Sequence, residues 1–360
     1  MKSLHYFTIR IFLLLVLGVN QTQAAFNALY VFGDSLSTTT NQNSSYPERY
    51  YGKRFSNGRI WVELLSQWQG LSYDSNKNWS YFGHYSSNLK TNVQTFAAPA
   101  DTSNALFVVW VNNADFVNNL STIFPPYGPD KIAPWTNALN QSLTNHAAAI
   151  QTLYNKGVRT LVMPNAADLT KIPRYAGLSS ANKAFVRLRT LEYNTNFSAV
   201  LSNATATLSG LKIIQPDIFT LVDNVHANPT NFTLIVPALT SADYAWGHGF
   251  TLTNGPGTNF VFWDDLHPTA KFHMYIADKV QQLLSPARIN NITSVDNSNQ
   301  LDMVDLAVGR DGIVEVTTNF INWSTAATIT TTNLNQSVLA NAPSDQGFYR
   351  LRFPFLWSWP

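Results

Sequence analysis

Short β-branched and aromatic runs, separated by longer stretches of helical periodicity, narrow the folds open to this chain more than any other feature. Residues 28–32 (ALYVF) stop at Gly33, residues 106–111 (LFVVWV) form a second run, and residues 159–163 (RTLVM) end at Pro164. Weaker runs lie at 211–214 and 260–263. Continuous apolar runs of this length suit strands buried on both faces, and their alternation with helical segments predicts an α/β domain with a mostly parallel sheet.

The intervening periodicity supports that reading. Residues 60–68 place Ile60, Leu64, Leu65 and Trp68 on one stripe, and residues 135–156 do the same with Leu139, Leu143, Ile150 and Leu153 before a terminating Gly157. Residues 181–208 predict a third helix with Phe185, Leu188, Phe197, Val200 and Leu201 inward. A fourth is expected to start at Pro268, with Ala270, Met274, Ile276 and Val280 inward. Beyond Ser285-Pro286 the helical pattern stops. Short Thr- and Val-rich runs at 312–318, 326–332 and 347–353 predict a small antiparallel β-module. The expected division is a leader at 1–24, an α/β domain at 25–285 and the β-module at 286–360.

The leader rests on its layout. Lys2 and Arg10 precede the apolar run 11–19 (IFLLLVLGV), and small residues follow at a cleavage site after Ala24. Nine apolar residues are too few to span a bilayer, and so are the last eight residues of the chain, FPFLWSWP. A signal peptide of this kind predicts a secreted, periplasmic or cell-surface protein with no transmembrane segment after cleavage. Losing Lys2 and Arg10 with the leader brings the 23 basic side chains level with the 21 acidic ones. A mature chain of formal charge zero has no electrostatic footprint for nucleic acid. The absence of cysteine removes a disulfide framework, a thiolate nucleophile and Cys-based metal sites.

Two clusters carry chemistry. Phe32-Gly33-Asp34-Ser35-Leu36-Ser37 follows the first strand, where a serine is exposed at the carboxyl edge of a parallel sheet, the edge at which ligands bind. An adjacent helix start would supply N–H groups for a developing oxyanion. Alone, such a serine reads equally as a turn residue. Far downstream comes Trp263-Asp264-Asp265-Leu266-His267-Pro268. A serine hydroxyl needs an imidazole base, and the imidazole needs a carboxylate to orient it. Asp264 is three residues before His267 and reaches its ring from the same loop; Asp265 competes, but is expected to point away or to cap the next helix.

Together, FGDSLS and DxxHP resemble the GDSL esterase/lipase family of SGNH hydrolases over roughly residues 26–285. Phe55-Ser56-Asn57-Gly58-Arg59-Ile60-Trp61, Leu161-Val162-Met163-Pro164-Asn165 and Ile172-Pro173 are similar to further family segments. The resemblance implies a flavodoxin-like three-layer α/β/α fold and a secreted serine esterase or lipase. Ser35 would be the nucleophile, His267 the base and Asp264 its orienter, with no cofactor and no metal. The substrate would be a small-molecule, lipid or acylated-sugar ester, the protein a monomer, and nucleic acid no partner.

Two blocks depart from the family pattern. The stretch 95–101 (TFAAPAD) puts Ala100 where the family has an oxyanion-hole Gly, beside a Pro99 that cannot donate. The block that usually reads Gly-x-Asn-Asp is Trp110-Val111-Asn112-Asn113-Ala114-Asp115-Phe116, which ungapped aligns the oxyanion Asn with Ala114. A shift of one residue restores Asn113, the favoured candidate, and a shift of two restores Asn112. The expected oxyanion hole is therefore the N–H groups of Ser35 and Ala100 with the Asn113 (or Asn112) amide. These departures keep open an alternative: a catalytically weakened hydrolase-like domain that binds surface glycan or matrix.

His84, His146, His226, His248 and His273 have no metal-type spacing and read as packing residues. His248 precedes the DxxHP loop, where it either lines the pocket or packs a loop. The aromatic stretch 46–55 reads either as a wall of the cleft or as ordinary packing. The tail, with Asn322-Trp323 and the terminal FYRLR run, resembles small β-modules appended to bacterial secreted proteins. Trp323, Tyr349 and Phe353 are expected to form its core rather than a carbohydrate-stacking surface.

Overall fold

Four parallel strands in the order β1-β2-β3-β4 form the central sheet: β1 (Leu29–Gly33), β2 (Leu106–Trp110), β3 (Thr160–Val162) and β4 (Lys212–Ile214). The structure is a computed structural model that describes residues 26–234, 241, 252, 257, 259–343 and 346–360. The expected leader and the His248 segment lie outside the described residues. β1 and β2 are buried at every position, as their unbroken apolar composition predicts.

An irregular segment extends the sheet past β1. The Trp79 N–H donates to the Val31 carbonyl at 2.8 Å, and the Gly33 N–H to Ser80 Oγ at 2.9 Å. With residues 78–81 counted, the spatial order becomes that of a flavodoxin-like doubly wound sheet, in which the crossovers diverge between β1 and β2. That divergence opens a crevice at the carboxyl ends of these two strands. The close approach needs Gly33 without a side chain, because a Cβ there would lie 2.5 Å from Ser37 Cβ and 2.9 Å from Ser80 Oγ.

Helices cover the sheet. α1 (Trp61–Trp68) packs with α7 (Ala270–Leu284), whereas α2 (Ser86–Thr95), α4 (Pro129–Asn155) and α5 (Ser180–Thr207) pack in succession, with α3 (Asn112–Thr122) against α4. α6 (Ile218–Ala227) follows β4. α4 starts six residues before the sequence-based expectation, with Pro129 in its first turn, and ends at Asn155, two residues before Gly157, whose φ is +95°. α7 starts at Ala270 rather than Pro268: Thr269 is its cap, accepting the Phe272 N–H, and the Pro268 carbonyl instead accepts Ser56 Oγ. In α5 the buried stripe is Val186, Thr190, Tyr193, Phe197 and Leu201; Leu188 is exposed, because it lies off that face.

The weak run 260–263 is not a strand. Its backbone closes the following loop instead, with the Trp263 N–H on the His267 carbonyl at 2.7 Å and the Thr269 N–H on the Val261 carbonyl at 3.0 Å. Two antiparallel sheets follow, β10-β7-β8 and β5-β6-β9, formed by β5 (Arg288–Val295), β6 (Ser298–Val304), β7 (Asp311–Thr317), β8 (Ser324–Thr330), β9 (Gln336–Asn341) and β10 (Phe348–Arg352). Their core gathers Leu301, Met303, Leu306 and Val314, with Tyr349 and Phe353 packed against it. Trp323 is not part of that core; Arg350 lies 4.0 Å over its ring. The terminal aromatic segment packs back on the α/β domain, with Phe355 stacked on Tyr275 at 3.7 Å and the Trp359 indole donating to the Asn57 carbonyl at 2.6 Å. No helix of the described residues is long and apolar enough to cross a membrane.

Candidate active site

Ser35 sits two residues past the end of β1, in a tight turn made by its own neighbour. Asp34 continues the strand pairing through its N–H to the Trp110 carbonyl, while its carboxylate accepts the Leu36 N–H at 2.9 Å. The turn leaves Ser35 half-buried at the crevice between β1 and β2. No helix starts after Ser35; the helix N-terminus at this edge belongs to α3, which begins immediately after β2.

Asp34 itself is buried, and burial pushes its pKa up to about 7 against the opposing pull of the Leu36 N–H, the His267 charge and the Ala114 N–H. The folded protein therefore holds this proton more tightly than the unfolded chain. Its contribution to stability is fully present below about pH 4 and is lost as pH rises through 7. Asp34→Asn, which keeps an acceptor for the Leu36 N–H, is expected to melt several degrees above the wild type at pH 8.5, with a clearly smaller difference at pH 5. Calorimetry at the two pH values checks this; a pH-independent difference contradicts it.

The DxxHP loop brings its histidine to Ser35. His267 Nε2 lies 2.9 Å from Ser35 Oγ, and His267 Nδ1 lies 2.8 Å from Asp264 Oδ2. Asp264 folds the loop around itself: Oδ1 accepts the N–H groups of Leu266 at 2.8 Å and His267 at 2.6 Å, and Oδ2 accepts the Tyr50 hydroxyl at 2.8 Å. Burial alone would raise the Asp264 pKa, but the His267 charge, the imidazole hydrogen bond and these backbone N–H groups hold it below the ordinary carboxylate range. Asp265 points away, in a two-pronged pair with Arg174 at 2.8 and 3.0 Å. The imidazole plane is fixed by Phe55, stacked on it at 4.6 Å. Tyr50 and Phe55 place the aromatic stretch 46–55 against the histidine and its carboxylate, a role that only their distance in sequence conceals.

The two asparagines at the start of α3 differ. Asn112 donates its amide to the Pro164 carbonyl at 2.9 Å. Asn113 accepts the Ala167 N–H at 2.9 Å through Oδ1, which leaves Nδ2 buried without a partner, and the residue lines the same cavity as Ser35. Ala114 lines that cavity too but has no side-chain donor.

Ala100 is misplaced in the expected oxyanion hole. It is exposed in the turn that leads into β2, next to Asp101, which accepts a hydrogen bond from Asn27 ahead of β1. That is the amino edge of the sheet. Five residues of strand, roughly 16 Å, separate it from the edge that holds Ser35. The residue that sequence reasoning missed is Gly83, in Tyr81-Phe82-Gly83-His84, which lines the cavity beside Ser35 and Asn113 with φ +76°. The signal was a glycine in a turn shortly after the edge segment 78–81. His84 braces this turn from beneath, with Nδ1 2.8 Å from the Gly33 carbonyl and Nε2 3.0 Å from the Asn92 amide; burial pushes its pKa down to about 4. His273 is likewise buried, with a pKa lowered to about 3, and packs within α7.

A family model described as GDSL-like Lipase/Acylhydrolase matches residues 29–280. Thermolabile hemolysin of Vibrio parahaemolyticus is 24% identical over 270 residues, which cover 71% of this chain and 63% of that protein, so the chain spans less than two thirds of that relative. Two GDSL esterase/lipases of Arabidopsis thaliana are each 24% identical, over 332 and 333 residues, covering 71% and 75% of this chain and 88% and 86% of their own lengths. Among solved structures, an acetylxylan esterase from Geobacillus stearothermophilus is similar at 10% identity with a TM-score of 0.42, over 72% of this chain and 94% of its own. The family match runs from the first strand to within the helix that follows His267, and the chain belongs to the GDSL-like lipase/acylhydrolase family.

Proposed function

We propose that this chain is an exported serine hydrolase that cleaves carboxylic esters through an acyl-enzyme on Ser35. The observation that carries the reading is the unbroken hydrogen-bond chain from Ser35 Oγ through the His267 imidazole to Asp264. His267 Nε2 takes the Ser35 proton as Oγ bonds to the acyl carbon, and Asp264 stabilises the imidazolium that results. The carbonyl oxygen becomes an oxyanion, which the Ser35 N–H, the Gly83 N–H and Asn113 Nδ2 receive. As the intermediate collapses, the bond to the alcohol oxygen breaks and His267 returns the proton to it. Water then repeats the sequence, with His267 as base, and the acid leaves Ser35 free.

Gly83 replaces Ala100 in this account. Gly83 and the unpartnered Asn113 amide line the Ser35 cavity, which favours the esterase reading over the weakened, glycan-binding alternative. Export rests on the layout of residues 1–24, and the division into a hydrolase domain at 25–285 and a β-module at 286–360 on the change of pattern near Pro286. The purified chain is expected to hydrolyse p-nitrophenyl butyrate, with the activity lost in Ser35→Ala. A wild type that folds and hydrolyses no ester of a short-chain p-nitrophenyl series overturns the proposal.

A further inference from the structure

Two cavities of different character meet at the Ser35–His267 pair, and each contains a different half of it. The first includes Ser35 but not His267. Its wall is almost wholly hydrocarbon: Leu36 and Trp110 near the serine, Val117 and Leu169 at the sides, and Val222 and Ile276 contributed by α6 and α7. Val222 and Ile276 are 4% and 2% exposed, so the helices close this end of the cavity. The second includes His267 and Asp264 but not Ser35. Its wall is mixed: Asn43, Ser44, Tyr50, Arg174 and Asp265 supply polar groups beside the rings of Phe55 and Phe82. Phe82 lines both and separates them.

Reaction chemistry decides which part of an ester enters which cavity. The leaving alcohol takes its proton from His267 Nε2 and therefore lies on the histidine side, while the acyl group is the part that stays on Ser35. The hydrocarbon cavity is thus the acyl site and the more polar cavity the alcohol site. Charge narrows the alcohol further. Arg174 is already held by both oxygens of Asp265, and with Asp264 the cavity contains two carboxylates against one guanidinium. An anionic phosphate meets no uncommitted cation there, whereas an uncharged hydroxylated group finds amide, hydroxyl and carboxylate partners.

Resting on the esterase reading above, we infer that the site is built for esters joining a hydrocarbon acid of limited chain length to an uncharged polyhydroxylated alcohol, such as a glycerol or sugar monoester. Val222 and Ile276 set the acyl length, and the Arg174–Asp265 pair forms the floor of the alcohol site.

The test is kcat/KM of the full chain in two series. Across p-nitrophenyl esters, the value is expected to rise with acyl length by up to about fourfold per methylene. It should then reach a maximum and fall, because Val222 and Ile276 close the far end of the hydrocarbon cavity. Val222→Phe is expected to lower the decanoate-to-butyrate ratio at least tenfold, and Ile276→Ala to move the peak to longer chains; the second variant and the wild-type profile decide the matter if the first does not fold. With the acyl group fixed as octanoyl, the glycerol monoester is expected to exceed the lysophosphatidic acid by tenfold or more, and Asp265→Asn, which releases Arg174 from its pair, to narrow that gap. A flat chain-length profile overturns the acyl assignment, and equal or faster cleavage of the phosphate-bearing ester overturns the alcohol assignment. Both results leave the esterase reading standing. Absence of hydrolysis throughout overturns that reading, and this inference with it.

Discussion

Ser35→Ala and His267→Ala are each expected to lower kcat for p-nitrophenyl butyrate by roughly 10⁵- to 10⁶-fold, and the double variant to lose little more. The reason is geometric. Ser35 Oγ is 2.9 Å from His267 Nε2, so each group is useless without the other: the hydroxyl stays protonated without the imidazole, and the imidazole has no nucleophile to activate without the hydroxyl. Asp264→Asn keeps the shape of the loop but offers the wrong hydrogen-bonding group to Nδ1, and about a 10⁴-fold fall is expected. Losses for Ser35→Ala and His267→Ala that multiplied in the double variant would mean that the two residues act independently, contrary to their contact.

The second large effect concerns the oxyanion. Asn113→Ala is expected to lower kcat by about 10²- to 10³-fold with little change in KM, because the donor meets charge that exists only in the transition state. Asn112→Ala, which removes a hydrogen bond to the Pro164 carbonyl, is expected to cost stability first and to change kcat by far less. Steady-state kinetics well below each variant's melting temperature separates the two. Equal kcat losses for both variants, or a normal rate in Asn113→Ala, would remove Asn113 from the hole and leave the backbone N–H groups of Ser35 and Gly83 as its donors.

The parts of the site that sequence discloses are those in which chemistry and chain proximity coincide. Asp264 and His267 share one turn, so their pairing follows from a three-residue spacing, and Ser35 follows a strand whose five buried residues are apolar. The sheet was equally legible, because β1, β2 and β3 are hydrophobic runs ended by Gly33, by the polar pair at the start of α3 and by Pro164. What escaped is set by tertiary contact. The choice between Asn112 and Asn113 depends on which amide the Pro164 carbonyl consumes, a partner on another strand end. Ala100 was aligned by local pattern alone, which is blind to the edge of the sheet a loop occupies; Gly83 comes to line the Ser35 cavity only because residues 78–81 run alongside β1. The Tyr50 hydrogen bond to Asp264 joins positions too far apart for any spacing rule. The run 260–263 has strand composition, yet its backbone is spent on holding the histidine loop.

The most direct test of the central claim is the intact mass of the full chain after treatment with a fluorophosphonate probe, followed by peptide mapping. A serine activated by His267 attacks the phosphorus, expels fluoride and retains the probe as a stable adduct. One adduct per chain is expected, on the peptide that contains Ser35, absent from Ser35→Ala and strongly slowed in His267→Ala. A folded wild type without an adduct, or one whose adduct maps to another residue and persists in Ser35→Ala, would contradict that claim.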